Sequence, residues 1–249
     1  MTSPDDTTLV GESGNDPNVE PFSADAVSND GYIYTTNASL SSRLANRRMT
    51  DVSLEIAEFR AKRVIDIGCG DGTYGREILD LAGPALILGI DPAEEAVEIA
   101  RRKASDPRLV FSVSSAYSLP CPDDSFDVAY LRGVLHHMDQ PVDALREALR
   151  VAPVVVVIEP NGYNPGLKVI ERCSKYHVEH GEKSYAPRTL DRWVTELGGR
   201  VRTRRWVCLV PMFSPDWMAR PLKRVEPGLE RLPVLRAVGC GTYAFTVVR

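Results

Sequence analysis

The chain has no Cys-x-x-Cys pair, no strongly basic tract and no long apolar run, and each absence removes a class of protein. Its five cysteines, Cys69, Cys121, Cys173, Cys208 and Cys240, are odd in number and widely spaced, so neither a disulfide framework nor a zinc knuckle is indicated. No stretch approaches the roughly 20 apolar residues of a spanning helix. The N-terminus is acidic where a secretory leader would be basic. A cytoplasmic protein without a membrane span is expected.

Net charge is also scarce, at -4. Seven acidic residues, Asp5, Asp6, Glu12, Asp16, Glu20, Asp25 and Asp30, precede the first basic one, Arg43, and leave the remaining body at about +3. That near-neutral body argues against a dedicated duplex-binding protein. Residues 1–30 are also poor in aliphatics and cannot offset their ordering entropy by burial, so they read as a disordered acidic tail.

What is present is a chain of 249 residues with 43% hydrophobic content, enough for a sizeable core. Leu40, Leu44, Met49, Val52, Ile56 and Phe59 recur near helical spacing and predict a helical cap over 31–60. From 61 onward, apolar runs alternate with helical segments, the pattern of βαβ units. Strands are expected at 64–67, 86–90, 109–113, 127–130 and 154–158, and helices at 75–81, 94–103 and 142–151. The result is one α/β domain over 61–249 with a doubly wound, Rossmann-like sheet covered on both faces. Further on, a helix is expected at 190–197 and strands at 201–210 and 243–248. The prolines at 211, 215, 221, 227 and 233 mark 211–235 as an insertion without a long helix.

The most informative stretch is Val64-Ile-Asp-Ile-Gly-Cys-Gly-Asp-Gly-Thr-Tyr-Gly75, an apolar strand running into a glycine turn and then a helix. Such glycines supply positive φ values and let a ligand approach the bare backbone. Asp91 ends the next strand, nineteen positions past Gly72, at the separation where an acidic residue accepts hydrogen bonds from ribose hydroxyls. A dinucleotide fingerprint starting from Gly68 and Gly70 would require glycine where this chain has Thr73. Asp66 and Asp71 would also repel a pyrophosphate, whereas they suit the ammonium of S-adenosylmethionine (SAM).

With these residues the chain resembles the class I SAM-dependent methyltransferases, particularly small bacterial enzymes acting on metabolites. The first motif of that family matches Asp66, Gly68, Gly70 and Gly72, its ribose-binding acid matches Asp91, and its fourth strand matches Phe126 to Leu131 followed by Gly133-Val-Leu-His-His-Met138. The resemblance implies a seven-stranded, mainly parallel sheet whose last strand runs antiparallel beside the fifth. It implies SAM as the cofactor, held by Asp66, Gly68, Cys69, Gly70, Gly72, Asp91, Pro92, Ser115, Ala116 and Arg132. Two departures stand out: Ser114-Ser115-Ala116 occupies the place of an adenine-binding Asp, and Arg150-Val-Ala-Pro153 replaces a Pro-Gly-Gly turn.

Methyl transfer needs alignment at about 3 Å more than it needs conspicuous catalytic groups, and a base only where the acceptor carries a proton. His136, His137 and Glu159 stand at the carboxyl edge of the sheet and are the candidate catalytic residues; Asn161, Tyr32, Tyr34 and His180 are candidate substrate contacts, the tyrosines as lid residues. His177 and His180 lack a strong zinc spacing, and no metal is expected. Met212 to Met218 would suit a hydrophobic acceptor. The expected activity is O-methylation of a small molecule by a monomer or homodimer. The alternatives are an RNA or protein methyltransferase using the arginines of 200–205, and a non-catalytic SAM-binding regulator. Those arginines also fit a solvated edge strand guarded by charge.

Overall fold

The structure is a computed structural model that describes residues 19–36, 38–173, 183–212 and 214–249. Its centre is a seven-stranded sheet made of β1 (Arg63–Ile67), β2 (Leu86–Asp91), β3 (Leu109–Val113), β4 (Val128–Arg132), β5 (Val154–Pro160), β6 (Arg200–Val207) and β7 (Thr242–Val248). The strand order is β3-β2-β1-β4-β5-β7-β6, and β7 is antiparallel to both of its neighbours while the other six point one way. The last strand therefore lies beside the fifth, with Val154 opposite Val248 and Glu159 opposite Tyr243.

β4 and β5 are apolar along almost their whole length because both faces of a central parallel strand are covered. Alternation along a strand sends neighbouring residues to opposite cores. Ile65, Ile67, Ala129, Leu131, Val155 and Phe245 join one layer with Leu145 and Leu149 of the helix α6 (Pro141–Val151). Val64, Tyr130, Val156 and Ala244 join the other with Val52 and Ile56 of α3 (Leu40–Ile56) and Ile78 of α4 (Thr73–Ala82). Ser39 caps α3 by accepting the Ser42 N–H at 3.1 Å. At its other end α3 is tied to the sheet, because Thr246 Oγ1 donates to the Ile56 carbonyl at 2.9 Å.

Two expectations fail. Part of the supposed tail is ordered, as the helix α1 (Val19–Asn29), followed by the short α2 (Ile33–Thr36). Packing explains the helix: Ala26 is fully buried in a cluster with Ala93, Ala96 and Ile99, the last two in α5 (Glu94–Lys103), and Val19 and Tyr32 pack against it. Residues 1–18 lie outside the described residues.

The proline-rich stretch is also helical, as α9 (Asp216–Leu229) and α10 (Pro233–Gly239), after α7 (Pro165–Cys173) and α8 (Pro187–Glu196). Pro221 and Pro227 lie inside α9, where each removes a backbone donor. Tertiary anchors offset that loss: buried Glu226 accepts the Leu209 N–H at 2.9 Å and the Lys223 ammonium at 2.6 Å, and Glu230 just after α9 pairs with Arg48 at 2.8 Å. Boundaries shift elsewhere, and β6 stops at Val207 rather than 210.

A Cβ added to Gly89 in β2 would lie 2.5 Å from the Phe111 ring and 3.0 Å from Cys69 Cβ. Gly89→Ala is therefore expected to destabilise the fold by about 1–3 kcal/mol through overpacking. Urea denaturation checks this, and an unchanged midpoint would contradict the β2–β3 packing.

Candidate active site

β1 ends at Ile67 and the chain turns through Gly68, Gly70 and Gly72, with φ of 76°, 52° and 73°, before α4 begins. The turn is pinned to β2: Gly68 and Cys69 both donate to the Ile90 carbonyl, at 2.8 and 2.9 Å. Asp91 completes the clamp, one oxygen accepting the Gly70 N–H at 2.9 Å and the other the Ala93 N–H at 3.0 Å. Each oxygen keeps capacity for a second hydrogen bond.

Not every loop glycine serves a ligand. A Cβ on Gly68 would meet Val134 at 2.6 Å and one on Gly72 would meet Phe111 at 2.4 Å. At Gly70 the ring of Tyr32 lies where a Cβ would come within 2.3 Å of it. The Tyr32 ring therefore covers the loop, with Phe22 edge-on to it at 5.9 Å. Burial, with Asp91 nearby, pushes the Tyr32 phenol upward.

A cavity of about 460 Å³ opens over this edge of the sheet, within the range of small-molecule sites. Of the expected cofactor residues, Gly68, Cys69, Gly70, Asp91, Pro92, Ser115, Ala116 and Arg132 line it; Asp66 and Gly72 do not. Gly72 instead starts α4, and Asp66 is buried in the layer behind, one of its oxygens without a hydrogen-bond partner. Burial raises the Asp66 carboxyl to about 7 although Arg132 pulls it down. Burial also raises Asp91 to about 6, against the two backbone hydrogen bonds from Ala93 and Gly70.

Arg132 is buried at the end of β4. It donates to Thr50 Oγ1 at 2.8 Å and to the Asn46 carbonyl at 2.9 Å, and stacks 3.5 Å from the centre of the Tyr74 ring. Asn46 and Tyr74 also line the cavity, and neither was anticipated. Asn46 and Thr50 are buried polar residues four apart on the inward face of α3, and that spacing is a signal the sequence does carry. Asp71 accepts the Thr35 hydroxyl at 2.6 Å and so ties α2 to the glycine loop.

Glu159, at the end of β5, is almost wholly buried. One oxygen accepts the N–H groups of Val134 and Leu135, at 2.9 and 2.8 Å. The other accepts that of His136 at 3.2 Å and meets His136 Nδ1 at 2.8 Å. Four bonds fill the carboxylate; it holds the 3₁₀ turn Leu135–His137 and the imidazole, and it lines the cavity. With Nδ1 as donor, Nε2 is the basic nitrogen of His136. The ring of His137 lies 3.8 Å from that of His136 and 4.8 Å from that of Phe22. Both histidines line the cavity.

Asn161 stands apart from these residues. It is fully buried and does not line the cavity. Its amide donates to the carbonyls of Ala237 and Cys240, at 2.8 and 2.9 Å, and its oxygen accepts the Tyr163 N–H at 3.1 Å. It is a loop cap rather than a substrate contact. Tyr34 lines the cavity and its carbonyl accepts the Asn46 amide at 3.1 Å. His180 lies outside the described residues. Among the described residues no cluster of three His, Cys, Asp or Glu could hold a metal, and no helix is long and apolar enough to cross a membrane.

Residues 65–153 match the family model described as a methyltransferase domain. The stretch from β1 to the turn before β5 is thus similar to a methyltransferase domain. The domain implies SAM as the cofactor, and the site fits it: an acidic glycine loop, a strand-end carboxylate with spare acceptor capacity, and an orphaned carboxylate oxygen behind them. The chain is similar to the 27-O-demethylrifamycin SV methyltransferase of Amycolatopsis mediterranei (strain S699), with 36% identity over 49% of this chain and 45% of the relative. It also matches the tRNA U34 carboxymethyltransferase of Hahella chejuensis (strain KCTC 2396), with 25% identity over 64% of this chain and 47% of the relative. The chain thus spans less than half the length of these relatives. In fold it resembles a SAM-dependent methyltransferase from Aquifex aeolicus, with a TM-score of 0.59, 18% identity, and coverage of 86% of this chain and 95% of that one.

Asp66 has a folded pKa of about 7 against an ordinary 3.8, so its contribution is full in acid and is lost as pH rises towards 7. Relative to the parent, Asp66→Asn is expected to gain stability as pH rises through that window. Thermal unfolding of both proteins at several pH values checks it; a difference that does not change with pH would contradict the burial of an unpaired carboxylate.

Proposed function

We propose that the protein transfers a methyl group from SAM to an oxygen atom of a small, largely apolar acceptor, with His136 as general base. The observation that carries this reading is the Glu159–His136 pair at 2.8 Å on the wall of the same cavity as the glycine loop. A base matters when the acceptor is a hydroxyl, and the relative named for a 27-O-demethyl compound supports an oxygen acceptor.

SAM, when bound, supplies an electrophilic methyl group on a sulfonium. The protein's part is positional. Asp91 offers acceptor capacity for ribose hydroxyls, and Asp71, with Asp66 behind it, gives the loop a negative potential that favours the ammonium of the methionyl end. Tyr32 and Phe22 exclude water above the loop. The far side of the cavity is built from Met138, Leu167, Ile170, Leu209 and Met212, which favours an apolar acceptor. His136 Nε2 takes the hydroxyl proton, and Glu159 holds the resulting imidazolium.

The arginine strand gives the RNA or protein alternative little support. β6 is the outer edge of the sheet, and Arg204 is engaged by Asp191 at 2.9 Å. Charged residues of this kind guard an exposed edge.

Calorimetry is expected to show SAM binding with a dissociation constant below about 1 mM, equivalent to about -4 kcal/mol, weakened at least about tenfold, or 1.4 kcal/mol, by Asp91→Ala. Failure of the parent to bind would remove the reading. Affinity is expected to fall as pH drops through about 6, because the raised Asp91 carboxyl becomes protonated and loses acceptor capacity. A pH-independent affinity would contradict that role. In a labelled-methyl assay against hydroxylated apolar metabolites, His136→Gln is expected to lower kcat by about 10²- to 10⁴-fold with SAM binding retained. A variant that keeps the parent's rate would exclude His136 as base.

A further inference from the structure

Most large apolar side chains of this protein are buried, but two consecutive helices turn theirs outward. On α9, Trp217 is 77% exposed and Val225 52%; on and just before α10, Val234 is 74% exposed and Leu232, Leu235 and Val238 are between 44% and 48%. Single exposed apolar residues are ordinary, whereas such a concentration marks a surface that meets something.

The pattern on α9 is a stripe. Residues 217, 220, 221, 224, 225 and 228 are all exposed and recur three and four apart. The buried residues of the helix, Ala219 and Glu226, fall on the opposite side. The stripe alternates apolar residues with Arg220 and Arg224, and Arg231 is exposed between the two helices. The nearby acids are mostly turned inward: Glu226 is buried against Lys223 and the Leu209 N–H, and Glu230 is paired with Arg48. Asp216, at the N-terminus of α9, is the one acid that is exposed on these two helices. The outward charge is therefore cationic and set among apolar groups.

We infer that the α9–α10 face docks in the plane of an anionic lipid surface, with Trp217 and Val234 entering the boundary between headgroups and acyl chains. Aromatic and aliphatic residues interleaved with arginine are the composition of interfacial helices, and arginine stems can lie along apolar surface while their heads reach lipid phosphates. Position adds a second argument. Gly239 at the end of α10, Gly241 just after it and Leu209 below α9 all line the apolar side of the cavity. The docked helices would therefore back onto the wall of the site. The docking itself does not depend on the methyl-transfer reading.

Vesicle flotation of the full chain tests it directly, using phosphatidylcholine vesicles with and without a large phosphatidylglycerol fraction. The parent is expected to float with anionic vesicles, to remain behind with neutral ones, and to release as salt rises. The pair Trp217→Ser with Val234→Ser, and separately Arg220→Glu with Arg224→Glu, are each expected to reduce partitioning about tenfold or more while circular dichroism and SAM binding stay as in the parent. A parent that does not float, or variants that float equally well, would overturn the inference. So would sedimentation velocity showing a dimer that Val234→Ser dissociates, because the face would then belong to a second copy.

Discussion

The site exists because the chain reverses its direction of travel across the sheet at β1. From that strand β2 and β3 are laid down on one side, and β4 and β5 on the other. The loops that follow β1 and β4 consequently leave in opposite directions and open a crevice at the carboxyl edge, where open α/β sheets bind their ligands. The glycine turn, Asp91, Arg132 and the 3₁₀ turn of the histidines all stand at that edge. None of them would face a common cavity if the strands ran in sequence order.

Buried carboxylates then fix the crevice in shape. Asp91 ties the glycine loop to the end of β2, and Glu159 ties the turn after β4 to the end of β5. Both are satisfied by backbone N–H groups, which is what allows a charge-bearing group to lie inside a low-dielectric edge. Asp66 differs: it is buried beside Arg132 without a hydrogen bond on one oxygen. Burial is the main cause of its raised proton affinity, which the nearby Arg132 offsets only in part.

The N-terminal helices complete the enclosure rather than merely preceding the core. α1 lies on α5, α2 is tied to Asp71, and Phe22 and Tyr32 bring an aromatic wall across the loop to His137. The opposite wall comes from α7, the segment after β6 and the end of α10. The sheet end of the cavity thus carries the carboxylates of Asp71 and Asp91, while the other end is set by added elements and mixes Leu167, Ile170 and Leu209 with Asn164, Glu171 and Ser184. Such a division suits a fixed polar cofactor and a variable acceptor.

The glycine turn, Asp91 and the five parallel strands were legible in the sequence, because strand burial and tight turns leave local signatures in hydrophobic period and glycine placement; the antiparallel direction of the last strand was implied only by the family resemblance. The paired histidines were legible as residues but not in their roles. Glu159 and Asn161 look alike as polar strand-end residues, and only their partners, four donors around one and two carbonyls beyond the other, separate a holder of the imidazole from a loop cap. The helices α1 and α9 were hidden for a related reason: composition counts what a segment could bury by itself, whereas Ala26 against α5 and Glu226 beneath Leu209 are contacts with distant residues. Sequence determined the strands, the turn and the chemistry available at the sheet edge; tertiary structure decided which side chains share one cavity, because that depends on packing between segments far apart along the chain.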